Sequence, residues 1–370
     1  MKSNITYIVS NINKALAFEW IATHLNRQDI NLRFILLNPG ESELEVFLKE
    51  HDFKVDRITY TGKKDILLSI LKTIKILKQN KTTIVHTHLF DANIVGLTAA
   101  WLAGIPKRIQ TRHHSDFHHV YHPKAVKYDK YANRLSTDII AISEVVREVL
   151  IHEGTSQRKI QLIHHGFLLE EFTEKTSASA NTIAKKYNPD NRGPVVGIIS
   201  RYTEWKGIQY IIPAFKELLT DYPDALLVLA NAKGNYKEEI QRMLQSLPAK
   251  NYIEIPFESD IFSLYKLFDI FIHVPITEQS EAFGQTYVEA LAMGIPSIFT
   301  LSGVAKEFIT DHHNAVVVDY KNSEEIYTSI HLLLNNKPLA NVIRINGKTD
   351  VNKFFGLDKM ILSLESLYRS

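Results

Sequence analysis

An α/β protein of two domains, each built on a parallel sheet, is what three features of the sequence predict. Short apolar runs alternate with amphipathic stretches through most of the chain, the pattern of repeated β-α units. The length of 370 residues exceeds the size at which one core usually keeps growing. Residues 170–192, containing TEKTSASANT and NPDNRGP, have turn and linker character and precede a fresh strand, so the domain boundary is placed there, after Lys185.

The strands expected in chain order are residues 5–9, 32–37, 83–86, 108–111, 139–142, 160–163, 195–200, 225–230, 252–255, 270–274 and 297–300. Most are short apolar runs, the form taken by a strand buried on both faces. Helices fill most of the gaps, and DKMILSLESLYRS reads as a last amphipathic helix. In residues 63–81 the apolar positions Ile66, Leu67, Ile70, Leu71, Ile74 and Leu77 recur at helical spacing with lysines largely between them. That pattern fits a core-packed helix with a solvated basic face, and its alternative is a helix lying on an anionic membrane surface.

Composition sets outer bounds. With 45% hydrophobic and 23% charged residues the chain is ordinary for a globular protein. The absence of cysteine excludes disulfides, thiolate chemistry and cysteine zinc sites, and it fits a reducing compartment. No N-terminal signal and no run of about 18 apolar residues is visible, so the expected location is the cytoplasm. The net charge of +2 hides an asymmetry: residues 1–185 carry +6 and residues 186–370 carry −4. A near-neutral balance without a basic-aromatic motif disfavours nucleic-acid binding.

The run EAFGQTYVE at residues 281–289 places two carboxylates eight residues apart around a glycine, at a predicted passage from loop to helix. The apolar run DIFIHVP precedes it as a strand, the helix opens near Gln285, and Gly294 and Pro296 close it. The first turn of such a helix offers unpaired N–H groups and the positive end of the macrodipole, which suit a phosphate. Eight helical residues rise ~12 Å, so Glu281 and Glu289 could hold hydroxyls on either side of a diphosphate. A second segment, RYTEWKG, follows the strand VVGIIS. It carries Arg201 and Lys206 on the loop after a strand's carboxyl end, where open α/β sheets bind ligands. A guanidinium forks onto two phosphate oxygens and an ammonium adds a compact charge.

These segments carry a resemblance. GIISRYTEWKG, then SDIFSLYKLFDIFIHVPITEQSEAFGQTYVEALAMGIPSI, then SGVAKEFI resemble the donor-binding domain of the family-4 retaining glycosyltransferases (glycosyl transferases group 1) with the GT-B fold. IVHTHLFDANIVGLTAAWLAGIPKRIQTRHHSDF, IIAISEVVREVL and IQLIHHGF add weaker similarity in the first half. The resemblance implies two Rossmann-like domains facing each other across a cleft. Residues 1–185 would be the acceptor side, with the terminal helix 357–370 a candidate to pack back on it, and residues 186–356 would bind the nucleotide sugar.

Carried over residue by residue, the resemblance puts Arg201 and Lys206 on the donor diphosphate, Glu289 on the ribose and Glu281 on hydroxyls of the transferred sugar. The backbone at Phe283, Gly284, Gln285 and Thr286 would meet the sugar and distal phosphate, and His113 would face the sugar. The catalytic set implied is His113, Arg201, Lys206 and Glu281. With Glu281 occupied in holding hydroxyls, help for the transition state would come from charge on the departing phosphate, by a front-face displacement.

The implied function is transfer of a sugar from a nucleotide diphosphate, a UDP-sugar, to a hydroxyl of a glycan or lipid-linked acceptor in cell-surface polysaccharide or glycolipid assembly. Peripheral membrane contact through the basic first domain is compatible with that setting. A nucleotide-sugar epimerase of the same fold and a non-catalytic sugar-nucleotide-binding subunit are the alternatives. No cofactor is expected.

The run HHSDFHHVYH invites a metal reading, because His114, His118 and His122 would share a helix face. The resembled fold generally needs no metal, and these residues are read as cleft or surface histidines. The chain departs from the family pattern at SNINKALAF, where a glycine-rich loop is usual, at His165-Gly166 in place of Asn-Gly, and at NAKGN in the second domain. These changes bear on the acceptor more than on the donor.

Overall fold

The computed structural model describes residues 2–174 and 180–370, so residues 175–179 of the expected linker lie outside the described part. The chain divides into two compact units, Met1–Phe167 with Leu357–Ser370, and Leu168–Gly356. Phe172 packs edge-on to Phe262 at 4.9 Å, and Tyr187 donates to Glu258 across 2.8 Å, both within the second unit. The division therefore falls ahead of Lys185, with Phe172 and Tyr187 of the stretch read as linker packing on the second unit.

The first unit is a seven-stranded sheet: β1 (Ser3–Ser10), β2 (Ile30–Asn38), β3 (Lys54–Thr59), β4 (Ile84–His88), β5 (Lys107–Arg112), β6 (Asp138–Ala141) and β7 (Ile160–Leu162). The second holds β8 (Val195–Ile199), β9 (Leu226–Ala230), β10 (Tyr252–Ile255), β11 (Ile270–His273), β12 (Ser297–Phe299) and β13 (Val316–Val317). The orders are β3-β2-β1-β4-β5-β6-β7 and β10-β9-β8-β11-β12-β13, with every paired strand parallel. Strand order therefore reverses between β1 and β4 in one sheet and between β8 and β11 in the other. At such a switch point the two flanking loops diverge and leave a crevice at the strands' carboxyl ends.

Central strands bury both faces, which is why they read as apolar runs. In the second unit Val196, Ile198, Leu227, Leu229, Ile270 and Ile272 pack against Ile211, Phe215 and Leu218 of the helix Ile208–Asp221. In the first, Ile8, Ile35 and Val85 pack against Ile70 and Leu77 of the helix Ile66–Gln79. The period of two sends the other residues of each strand to the opposite face. Tyr7 and His86, which pair in register, lie there beside His88.

The helix Leu357–Arg369 belongs to the first unit. Its Leu357 amide donates to Phe167 O at 3.0 Å, and the Tyr368 hydroxyl bonds both the Tyr7 hydroxyl and, at 2.8 Å, His86 Nδ1.

Candidate active site

The loop after β8 bears Arg201, exposed and without an ion pair among the described residues. One 3₁₀ turn, Glu204–Lys206, follows and ends at Gly207 with φ 76°. A Cβ there would lie 1.9 Å from Val274 O, so only glycine lets this loop press on the end of β11. The Ile276 amide donates to Trp205 O at 3.1 Å and fixes the contact. The neighbouring order of β8 and β11, with this glycine contact, brings Lys206 to Glu281, 75 residues away in sequence, as an ion pair on Oε1.

Glu281 sits in the loop after β11. Its amide donates to Ser302 Oγ at 3.0 Å, Ser302 Oγ donates to Glu278 O at 3.0 Å, and the Gly303 amide donates to the same oxygen at 2.9 Å. The loop after β11 is thus laced to the loop after β12, which holds the carboxylate still. His273, the last residue of β11, places Nε2 2.9 Å from Glu281 Oε1. Burial alone would raise the Glu281 carboxyl, but the Lys206 charge and the His273 bond outweigh it and hold it down at about 2. Burial holds the His273 imidazole below its ordinary value, against the pull of Glu281 and with the repulsion of Lys206.

The helix Gln285–Ala292 opens as expected, capped by Gly284 in the left-handed region rather than by a side chain. A Cβ on Gly284 would meet the Tyr287 ring at 2.4 Å. The Phe283 side chain is core, edge-on to Phe355 at 5.5 Å, and its carbonyl accepts from the Val304 amide at 3.0 Å. Gln285 is exposed, and the buried Thr286 hydroxyl has no hydrogen-bond partner among the described residues. Glu289 is half-buried and accepts from the Tyr265 hydroxyl at 2.8 Å; burial pushes its carboxyl up, with the tyrosine bond working the other way. Lys206 and Glu281 are thus in contact, whereas Glu289 is held separately by Tyr265.

His113 lies in the other unit, on the residue after β5. Its Nε2 is 3.1 Å from His88 Nδ1, and its ring stacks on His165 at 5.6 Å. Burial, then the neighbouring histidines, depress its pKa well below the ordinary value, so it is neutral near pH 7. His88 comes from the end of β4, at the switch point of its sheet, and its Nε2 is buried without a hydrogen-bond partner among the described residues.

The helix expected beneath His114, His118 and His122 does not form at that length. Only Phe117–Tyr121 is helical, so His114 precedes it, His118 is buried and His122 is exposed. His114, His118 and Asp129 instead bring three ligand atoms within 4.8 Å of one another. Arg112 shares the Asp129 carboxylate at 3.2 Å and bonds Glu153 at 2.7 Å, with both acids buried. A guanidinium so close to Asp129 supplies the positive charge that a metal ion would bring there.

Four site neighbours escaped the sequence reading: His273, Ser302, Tyr265 and His88. A signal existed for His273, since a histidine inside the apolar run DIFIHVP must find a polar partner when buried. Ser302 and Tyr265 carry no such signal, because their partners are set by a loop–loop contact and a helix–helix contact that only the fold creates.

The family model for glycosyltransferase family 4 matches residues 20–171, and that for glycosyl transferases group 1 matches residues 179–350. The capsular polysaccharide biosynthesis glycosyltransferase CapM of Staphylococcus aureus is 27% identical over 337 residues, 87% of each chain. The alpha-monoglucosyldiacylglycerol synthase of Acholeplasma laidlawii is 24% identical over 82% of this chain and 79% of its own. Among solved structures, Anabaena HepE in complex with UDP and glucose superposes with a TM-score of 0.85 at 18% identity, covering 99% of both chains. With matches to the two models succeeding each other along two parallel-sheet α/β units, this chain belongs to the group 1 glycosyltransferases of family 4 type and has the GT-B fold.

Proposed function

We propose that this glycosyltransferase moves a hexose from a UDP-sugar to a hydroxyl of a glycan or lipid-linked acceptor, with retention of anomeric configuration, in cell-surface polysaccharide or glycolipid assembly. The observation that carries the reading is the meeting of Lys206 and Glu281 at the switch point between β8 and β11, with the exposed guanidinium of Arg201, unpaired among the described residues, on the same loop. The UDP in HepE and the names of CapM and the diacylglycerol synthase support the donor and acceptor classes.

In this reading the second unit binds the donor and the first the acceptor. Arg201 and Lys206 take the diphosphate, the amides around Phe283, Gly284, Gln285 and Thr286 take the distal phosphate and sugar, and Glu289 takes the ribose. Glu281 already receives Lys206 and His273 on Oε1, so Oε2 is the oxygen assigned to the sugar hydroxyls. The bond from the anomeric carbon to the leaving phosphate breaks and its electron pair departs on the diphosphate. The acceptor oxygen bonds that carbon on the same face and passes its proton to the leaving phosphate oxygen. Neutral His113 serves as a hydrogen-bonding partner of the sugar. No metal enters this scheme.

The helix Ile66–Gln79 supports a membrane-borne acceptor. Leu67, Leu68 and Leu71 stand 71%, 55% and 56% exposed beside the exposed Lys64, Lys72, Lys75 and Lys78, a mixture that fits an anionic bilayer surface. Among the described residues no helix is long and apolar enough to cross a membrane. The function is tested by incubating the protein with UDP-, GDP- and ADP-sugars, with and without lipid-linked acceptors, and determining the product anomer by NMR. Inverted product removes the retaining assignment. Sugar released or epimerised without acceptor removes transfer, and binding without turnover on any acceptor favours a non-catalytic subunit.

A further inference from the structure

One oxygen of Glu281 receives two donors at once, the Lys206 ammonium and His273 Nε2. His273 is only 2% exposed at the end of β11, and the groups that face its imidazole are few. Glu281 comes from the loop after β11, Lys206 from the loop after β8, and Tyr287 from the helix Gln285–Ala292 with its ring edge-on at 4.8 Å. The Tyr287 hydroxyl is spent on Thr300 O at 3.0 Å, so it neither gives nor takes a proton here.

Lys206 has two claims on it under the reading above, on which this inference rests. In the ligand-free protein its charge neutralises Glu281, whose side chain is 10% exposed; with donor bound it is also required by the diphosphate. A carboxylate this buried cannot cheaply lose its cation. Among the described residues His273 is the one other donor that touches it. We infer that His273 takes up a proton when a donor diphosphate draws Lys206 from Glu281, so that nucleotide-sugar binding and protonation of His273 are linked.

The charges balance in both states. Without donor, Lys206 and Glu281 form a neutral pair and His273 is neutral, kept so by burial and by the adjacent ammonium. With donor, the ammonium is shared with two phosphate charges, and an imidazolium replaces it beside Glu281. The proton comes from solvent and no covalent bond is made or broken. His273 is thus a positioning residue: it keeps Glu281 ionised and oriented toward the sugar while Lys206 serves the phosphate.

Titration calorimetry of the whole protein with UDP-glucose, whose diphosphate does not itself titrate near neutrality, tests this in buffers of different ionisation heat at pH 6–8. The expected result is net uptake of up to about one proton and affinity falling by up to about tenfold per pH unit as pH rises through the bound-state value. His273→Gln, which keeps an amide donor toward Glu281, should bind UDP-glucose without uptake and without that pH dependence. Binding by the wild type with no uptake, or equal uptake in His273→Gln, overturns the inference. The wild-type measurement stands alone should the variant fail to fold. Absence of binding to UDP-glucose and to GDP-mannose would overturn this inference and the donor reading together.

Discussion

The Tyr265 hydroxyl donates to Glu289 Oε2 across 2.8 Å, tying the helix Ile261–Tyr265 to the helix that carries the second carboxylate of the run EAFGQTYVE. The bond orients a half-buried acid that burial otherwise pushes toward its neutral form. Tyr265→Phe removes one hydrogen bond worth about 0.5–1.5 kcal/mol. Steady-state kinetics should give a donor KM raised on the order of twofold to tenfold with kcat little changed. An equal fall in kcat would place Glu289 at the reacting bond instead of at the ribose.

Arg201 and Lys206 should separate stability from activity. Arg201 is exposed and unpaired among the described residues, so Arg201→Ala should leave Tm unchanged while weakening donor binding. Lys206→Ala strips the cation from buried Glu281 as well as from the phosphate, and should lower Tm and cut turnover together. A charge-assisted hydrogen bond of about 1.5–3 kcal/mol corresponds to roughly tenfold to a hundredfold in rate. Thermal melts and kcat/KM on the two variants check this; the assignment fails if both retain wild-type turnover.

Gly284→Ala tests the junction itself. The residue has φ 88°, and an added methyl would sit 2.4 Å from the Tyr287 ring, so the helix start must shift. The strain is on the order of 1–3 kcal/mol. Loss of UDP-glucose binding with a lowered melting point is expected, and unaltered donor affinity would argue that these amides do not hold the donor.

Acid should destabilise the first unit through its buried histidines. Burial lowers His86 to about 3, and His114 and His165 to about 4. Unfolded, each titrates near 6.5, so between that pH and the folded values the unfolded chain binds more protons. Their contribution is complete above about pH 6.5 and is lost as pH falls through the folded values. Urea midpoints should therefore drop from pH 7 to pH 5, the unfolding free energy falling by up to about 1.4 kcal/mol per pH unit for each fully buried histidine. A midpoint that stays flat or rises would contradict this.

The exposed leucines of the helix Ile66–Gln79 should govern vesicle binding. Cosedimentation with phosphatidylglycerol vesicles is expected for the wild type and not with phosphatidylcholine alone. Leu67→Asp with Leu71→Asp should abolish it without lowering Tm, because neither side chain belongs to the buried face of Ser69, Ile70, Thr73 and Leu77. Retained binding would remove this helix from the membrane reading.

Eleven of the thirteen strands among the described residues were marked in the sequence, most of them by apolar runs, because a strand covered on both faces has little choice of composition. The two that escaped have physical reasons. β3 is an edge strand, KVDRIT, whose exposed positions take charged residues, and β13 is two residues long. At the site, charge and glycine were legible, since Lys206, Glu281 and Gly284 stand on loops with few other duties. The partners were not: His273 meets Glu281 because the loop after β11 folds back over the strand's end and is laced to the loop after β12, and Tyr265 reaches Glu289 across a helix contact that no local pattern encodes. The exposure of Leu67 and Leu71 was equally hidden, as helical spacing gives a stripe without saying which stripe meets the sheet.

The return of the helix Leu357–Arg369 to the first unit imposes an order on biosynthesis. The Tyr7 hydroxyl and His86 Nδ1, both buried, find their partner in Tyr368, 361 and 282 residues downstream. A nascent chain can therefore lay down the first sheet early, yet it leaves these polar groups unsatisfied until synthesis has passed through the whole second unit. The half that is made first is completed last.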